Sequence, residues 1–333
     1  MTPSQQPAIW RSLIGGSLGP LLSLVAVILF FALVEPWMVE NPRFLTMQNF
    51  RTSTVQMSGI AVAALGMMLI IISGGIDLSA GTALAFSATT LAWFLREGYG
   101  VPAALLAGIG TGAMAGLING VLISCLRVVP FIVTLGTMTA YLGWATIIAE
   151  ETTVRPNLDQ IPEWIPQLVS IRPDEQFLVA SGVWLALALA LLTAAVLRYT
   201  VFGRYVFAVG SNESTARLCG VPVTLVKVAV YTISGVFVGI AGVYQFARLT
   251  NGNPSSGAGL ELKIIAAVVI GGASLSGGRG TVLGTFAGAA IMQTIASGCS
   301  ALGLSNPLQN IIIGAIIIAA ATLDQWRQRR LAA

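Results

Sequence analysis

Long apolar runs, separated by short polar connections, constrain this chain more than any other feature of its sequence. Ten such runs can be drawn, and most are close to the 20 or so residues that an α-helix needs to cross a bilayer. Only 9% of the 333 residues are charged and 56% are hydrophobic, whereas a typical soluble domain is about 25% charged. The sequence therefore predicts an all-α, polytopic membrane protein. The predicted spans are residues 18–39, 55–73, 80–95, 101–124, 130–149, 177–197, 226–247, 262–276, 281–298 and 307–323.

The basic residues predict which side of the membrane each connection faces. An even number of spans puts both termini on one side. If that side is the cytoplasm, ten of the seventeen Lys and Arg residues lie inside, together with only three of the thirteen acids. Basic residues favour cytoplasmic connections, so we expect cytoplasmic termini. Arg43 and Arg51, which follow the first span, argue against this orientation.

Several kinds of chemical site are excluded by residue content. The chain has no His, which removes histidine metal sites, triads and proton relays. Cys125, Cys219 and Cys299 lack the spacing of a disulfide framework or a metal site. No Gly-x-x-x-x-Gly-Lys-Ser/Thr loop is present to hold nucleotide phosphates. The net charge of +4 does not indicate a nucleic-acid partner, because the basic residues cluster beside spans. We therefore expect no catalytic residue, cofactor or metal.

The longest basic connection, residues 198–227, contains the signals of one short helix. Ser211 or Asn212 can cap its first amides, and Arg217 stands in its last turn, where a cation suits the helix dipole. Gly220 can take the left-handed conformation that ends a helix. We predict a short helix on the membrane surface between two spans. On residue chemistry alone, it is either a docking site for another protein or part of a solvated loop.

The longest connection predicted on the outer side, residues 150–176, is acidic and rich in proline. It holds six acids and four prolines, and the prolines prevent a long regular helix. Trp164, between two of the prolines, indicates a short segment at the membrane interface. The loop is either a contact for an outer protein or a solvated acidic loop.

Glycines at four-residue spacing predict close helix packing. Gly108, Gly112, Gly116 and Gly120 recur through the fourth span, and shorter series occur in the seventh and ninth. Small residues on one face let another backbone approach closely. We expect this face to pack within the chain rather than against a second copy. Asn119 should then make an interhelical hydrogen bond rather than contact a substrate.

Two similar glycine-rich segments interrupt the apolar runs and hint at an internal repeat. They are residues 74–81 (GGIDLSAG) and 271–278 (GGASLSGG), both predicted toward the inner side. Paired glycines break a helix, and transporters place gates or sites at such breaks. We predict a gate or helix break at Gly74, Gly75, Asp77, Gly271 and Gly272.

Asp77 is the one acid deep in the first apolar region. An ionisable group at that depth is a candidate functional residue. The alternative, which we favour, is that Asp77 caps the third span, with Ser79 as a competing cap.

Four motifs occur in order over roughly residues 50–325: residues 74–81, 130–137 (PFIVTLGT), 208–221 (AVGSNESTARLCGV) and 266–281 (AAVVIGGASLSGGRGT). Together they resemble the permease subunits of bacterial ATP-binding-cassette importers for monosaccharides, of the ribose-permease type, in the branched-chain amino acid and sugar permease superfamily.

The resemblance implies one permease domain over residues 1–333, with about ten transmembrane helices in a vitamin-B12-permease-like, type II importer bundle in the bacterial inner membrane. It implies three partners besides the sugar and membrane lipid: a separate ABC-type ATPase, a periplasmic sugar-binding protein, and a second permease copy in a homodimer or heterodimer. It also implies that residues 198–227 carry a cytoplasmic coupling helix. The ATPase contacts carried over are Asn212, Glu213, Ala216, Arg217 and Gly220.

The resemblance implies import of a pentose or hexose. The path should be lined by hydroxyl and amide groups with few charges, because a neutral sugar needs no counter-charge. Two departures from the family pattern affect the details of the outer gate: Leu142, where many relatives have Arg, and Lys263, where many have an acid. The candidate path residues are Ser73, Thr134, Thr137, Ser234 and Gln245.

Three other functions are weighed against this one. A permease for a polyol or a furanose-like signal molecule would look the same in sequence. An ion-coupled secondary transporter usually keeps ionisable residues inside its spans, and only Asp77, Glu261 and Lys263 lie near spans here. An intramembrane protease or lipid transferase would lack a base, because there is no His and no paired intramembrane acid.

Overall fold

The computed structural model of the protein describes residues 19–170 and 179–332, with side chains described as far as residue 319 and at Thr322. Residues 171–178, which hold the end of the predicted outer loop and the start of the predicted sixth span, lie outside the described residues. The main helices are α1 (Gly19–Met38), α2 (Met47–Ile72), α3 (Ala80–Arg96), α4 (Val101–Leu126), α5 (Pro130–Ile148), α6 (Ser181–Tyr199), α7 (Val201–Ser211), α8 (Glu213–Leu218), α9 (Val223–Leu249), α10 (Leu260–Ile270), α11 (Val282–Ala301) and α12 (Asn306–Ala332).

The helices are those of a multi-pass membrane protein. Seven in the described part of the chain are long and apolar enough to cross a membrane: α1, α2, α4, α5, α6, α9 and α11. Helix α3 has 17 residues, α10 has 11, and the apolar part of α12 covers Asn306–Ala319. The prediction of ten crossings in a vitamin-B12-type bundle therefore stays a prediction. The predicted span 262–276 is too long, because its helix ends at Ile270 and Gly272 turns the chain at a φ of +90°.

Helix α2 forms the centre of the bundle. Almost every residue from Ala61 to Ile72 is fully enclosed. This stretch is apolar on all sides, as expected for a helix surrounded by other helices. Buried residues of α6, α9 and α10 pack around it in one continuous core. Helix α2 begins at Met47, eight residues before the predicted span.

The glycine series in α4 packs within the chain, as predicted, with Gly112, Gly116 and Gly120 against α9 and Gly108 against α3. A side chain at Gly112 would collide with the backbone of Gly235 and Gly239, and one at Gly116 would collide with the backbone of Tyr231. The predicted choice of internal packing over a dimer face is therefore confirmed for this face of α4.

Helices α10 and α11 approach each other in the same way. Gly284 lies against the backbone of Gly271, and Gly288 lies against that of Ala267. Gly280, the first member of this predicted series, precedes α11 and packs against Ile72 instead.

The connections define two ends of the bundle. At one, which we call the loop end, residues 150–170 and 250–259 meet: Val154 and Gly252 exchange backbone hydrogen bonds of 2.9 and 2.8 Å. The other, which we call the α8 end, carries α7 and α8 and both glycine-rich turns. There the Gly278 N–H donates to the Ile72 carbonyl at 2.8 Å.

Candidate functional sites

The basic connection 198–227 folds into two helices, α7 and α8, where the sequence analysis predicted one. Thr200 caps α7 by accepting a hydrogen bond from the Gly203 N–H at 3.2 Å. Gly203, Val206 and Val209 are buried on one face of α7. The three-residue spacing of these buried residues could have predicted α7. The helix predicted over residues 211–220 is shorter than expected and corresponds to α8.

The ends of α8 are formed as its sequence predicts. Asn212, rather than Ser211, is the cap, because its Oδ1 accepts from the Thr215 N–H at 2.8 Å. Gly220 has a φ of +80°, the left-handed conformation that favours glycine. The Val221 N–H then donates to the Ala216 carbonyl at 3.0 Å and closes the end of the helix.

A small charge network joins α8 to the start of α9. One carboxylate oxygen of Glu213 accepts from Lys227 Nζ at 2.6 Å, and the other accepts from the Arg217 guanidinium at 3.2 Å. The hydrogen bond from Lys227, and secondarily Arg217, lowers the pKa of Glu213 below its ordinary value. A lowered folded-state pKa means that this contribution is complete above the ordinary pKa of Glu and is lost as the pH falls through the lowered value. Because Glu213 and Arg217 are exposed, it is worth at most about 1 kcal/mol.

Four of the five predicted contact residues are accessible. Asn212, Glu213, Arg217 and Gly220 are exposed. Ala216 is 4% exposed and packs into the core, so it is not part of the exposed surface of α8, and its predicted contact with a partner stays a prediction. Its role is to seat α8 on the bundle.

The most prominent apolar group on α8 was missed by the sequence analysis. Leu218 is 88% exposed in the last turn of the helix. A large apolar side chain exposed on a short capped helix is a candidate contact for another protein.

The two glycine-rich turns meet beside α7. Gly277 lies against the backbone of both Gly74 and Gly210, and Gly278 lies against Ser211. The left-handed φ values of Gly74 and Gly277, +82° and +84°, let the chains pass this closely. The predicted helix breaks thus exist, and they connect the core helices α2 and α10 to the helix that precedes α8.

Asp77 lies in a buried polar network that joins α3, α4 and α5. Its Oδ1 accepts from the Ser79 N–H at 2.8 Å and from Ser79 Oγ at 2.6 Å. Asn119 Nδ2 donates to Ser79 Oγ at 2.8 Å, and Tyr141 Oη donates to Asn119 Oδ1 at 3.2 Å. The predicted interhelical role of Asn119 is confirmed.

The prediction that Asp77 or Ser79 caps the third span, α3, agrees only in part with the structure. Ser79 occupies the cap position of α3, but its side chain makes no capping hydrogen bond. Asp77 binds the N–H of Ser79 instead of an amide inside the helix. It shapes the turn that leads into α3.

Most of the predicted path residues do not face an open space. The hydroxyls of Ser73, Thr134 and Thr137 donate to carbonyl oxygens of their own helices. Ser234 is 1% exposed and packs on Gly66. In this conformation these four residues support helix packing.

Gln245, the fifth path residue, lines a cavity of about 420 Å³ at the loop end. The cavity lies between α2, α9, α10 and α11, and its size is typical of small-molecule sites. Two hydrogen bonds cross between α2 and α11 at its wall. Gln293 Nε2 donates to Gln56 Oε1 at 2.9 Å, and Ser297 Oγ donates to Asn49 Oδ1 at 2.7 Å.

This amide-rich cavity is the best candidate for a substrate site in the described part of the chain. Of the two departures from the family pattern, Lys263 lines it, whereas Leu142 is 38% exposed on α5.

Comparison with known proteins relates most of the chain to one family. A sequence profile of the family described as "Branched-chain amino acid transport system / permease component" matches residues 49–321. The ribose import permease protein RbsC of Escherichia coli (strain K12) is 33% identical over 306 residues, which cover 92% of this chain and 94% of that protein.

Two further relatives match at similar identity. The L-arabinose ABC transporter permease protein AraH of Azospirillum brasilense is 30% identical, over 99% of this chain and 95% of its own length. The fructose import permease protein FrcC of Rhizobium meliloti is 32% identical, over 90% and 84%. No solved structure matches the chain.

Proposed function

This chain belongs to the family of branched-chain amino acid transport system permease components, and on that premise we propose that it is the membrane-spanning subunit of an ATP-binding-cassette importer for a monosaccharide. The observation that carries the proposal is the match, over 84% or more of both chains, to relatives named for import of ribose, L-arabinose and fructose. ATP would be hydrolysed by a separate ATPase chain, because this one has no P-loop.

The α8 end is the proposed docking surface for that ATPase. The side chains of Asn212, Glu213 and Arg217 are exposed on the same short helix as the protruding Leu218. An apolar anchor with a polar rim is the common arrangement of a protein contact. Under this proposal the protein spans the inner membrane, and both termini and α8 lie on its cytoplasmic side.

The packing of α7 supports a route from ATPase to permease core. Gly210, one residue before the end of α7, touches both glycine-rich turns. ATP-driven movement of α8 would shift α7, and the two turns would then tilt α2 and α10 relative to each other. Such rigid-body rocking between two states is a known form of conformational switching. This movement would open the cavity alternately to the two sides of the membrane.

The loop end is the proposed contact for a periplasmic sugar-binding protein. The loops 150–170 and 250–259 are joined there by the Val154 and Gly252 hydrogen bonds, beside the mouth of the cavity. A second permease copy completes the proposed importer.

The docking proposal is tested by placing a charge at the exposed apolar anchor. Leu218→Asp should abolish co-purification of the ATPase and ATP-driven uptake, because a carboxylate cannot fill an apolar pocket without a large desolvation cost. Leu158→Asp is the matched control for ATPase association, since Leu158 is 80% exposed at the loop end, away from α8. Unchanged ATPase association with Leu218→Asp, in a variant that still elutes as a single folded species, would contradict docking through α8.

A further inference from the structure

Two cations face the proposed substrate cavity. Arg248 stands in the last turn of α9, and Lys263 stands four positions into α10. Both line the cavity of about 420 Å³ at the loop end. No acidic residue is among its lining residues, all of which lie in the described part of the chain.

Neither cation has an acidic partner among the described residues. Arg248 donates a hydrogen bond to the Gln245 amide oxygen at 3.1 Å, and no carboxylate of the described residues lies within 4 Å of either cation. The nearest acid in sequence, Glu261, is turned away. Its Oε1 accepts from the Gly259 N–H at 3.1 Å, and its side chain lies against Gly81.

An anion in the cavity would relieve the repulsion between these two like charges, of which Arg248 is exposed and Lys263 is partly buried. A cleft lined by charges of one sign also concentrates ligands of the opposite sign. A lining without charge suits a neutral sugar, whereas this cavity carries two cations.

The rest of the lining suits a polyhydroxylated molecule. The amides of Gln56, Gln245 and Gln293 and the hydroxyl of Ser300 line the same space. Amide groups both donate to and accept from hydroxyls, and an Arg beside a Lys binds a carboxylate or phosphate through charge-assisted hydrogen bonds.

We propose that the transported substrate is an acidic monosaccharide, whose carboxylate or phosphate is bound by Arg248 and Lys263 while its hydroxyls contact the amide-lined wall. The proposal rests on the proposed importer function and specifies the charge of its substrate.

The test uses the full importer in proteoliposomes, with its ATPase and binding protein. Labelled monosaccharides are supplied as matched neutral and acidic pairs: galactose with galacturonate, glucose with glucuronate, and ribose with ribose 5-phosphate. We expect ATP-driven uptake of an acidic member in preference to its neutral partner. Uptake of galacturonate or glucuronate would indicate that the site binds a carboxylate, and uptake of ribose 5-phosphate would indicate a phosphate.

Variants then connect the preference to the cavity. Arg248→Gln and Lys263→Gln should each lower uptake of the acidic member by about tenfold or more, the loss expected when a charge-assisted hydrogen bond is removed. Lys263→Arg should keep most of the uptake, because it keeps the charge. Arg43→Gln is the control, since Arg43 is exposed at the same end, does not line the cavity and lies outside the loops proposed to meet the binding protein.

Three results would overturn the inference while leaving the importer function intact. The first is uptake of neutral members only. The second is uptake of acidic members that neither Gln variant changes. The third is an equal loss for neutral and acidic members with weakened capture of the binding protein, which would make the cations a docking contact. ATP-driven uptake of no monosaccharide, neutral or acidic, would instead contradict the proposed function itself.

Discussion

At the scale of single residues, the buried polar groups hold helices together. Tyr141 is 1% exposed, and its hydroxyl lies 2.8 Å from the Ala115 carbonyl and 3.2 Å from Asn119 Oδ1. Asn119 in turn binds Ser79 at the turn shaped by Asp77. An unsatisfied polar group is costly where no water is available, so these four residues depend on one another.

Removal of one hydroxyl from this network should be measurable. Tyr141→Phe should lower the free energy of unfolding by about 1 kcal/mol, the usual net worth of such a hydrogen bond. The measurement is the unfolding of the detergent-solubilised protein by denaturant. Tyr99→Phe is the control, because Tyr99 is 60% exposed and should change stability little. Equal stability of both variants and the native chain would mean that the network is not a structural unit.

At the scale of helices, the contact of α4 with α9 is set by glycine. The two backbones approach so closely at Gly116 that an added methyl group would meet the backbone of Tyr231 and Gly235. Gly110, on the opposite face of α4, has open space around it. One helix thus offers a matched pair of positions.

The same substitution should have opposite effects at these two positions. Gly116→Ala should destabilise the protein by about 1 to 3 kcal/mol, the range for overpacking a close contact. Gly110→Ala should be neutral or stabilising by up to about 1 kcal/mol, because alanine favours the helix and meets nothing. Thermal unfolding of the two purified variants measures both. A loss at Gly110 as large as that at Gly116 would contradict the packing described.

The sequence predicted helices and their glycine contacts better than the candidate site. Apolar runs and the four-residue glycine period are local signals, so α4, α9 and the end of α8 at Gly220 could be anticipated. The direction of a side chain depends on neighbouring helices that the local sequence does not specify. Ser234 therefore packs on Gly66 rather than facing a path, Ala216 faces inward, and Lys263 proved to line the cavity.

At the scale of the whole molecule, the two ends of the bundle differ in chemistry. The α8 end presents a short capped helix with one protruding leucine, and the loop end presents the cation-lined cavity and the paired loops. The proposed importer requires these ends to meet different partners on opposite sides of the membrane. Leu218 and Leu158 mark the two ends, and both are more than three-quarters exposed.

Site-specific cross-linking in the assembled importer tests this assignment most directly. A photoreactive residue at position 218 should cross-link to the ATPase, and one at position 158 should cross-link to the binding protein and not to the ATPase. Cross-linking of position 218 to the binding protein, or to no ATPase at all in an importer that still takes up substrate, would contradict the proposed orientation and the docking role of α8.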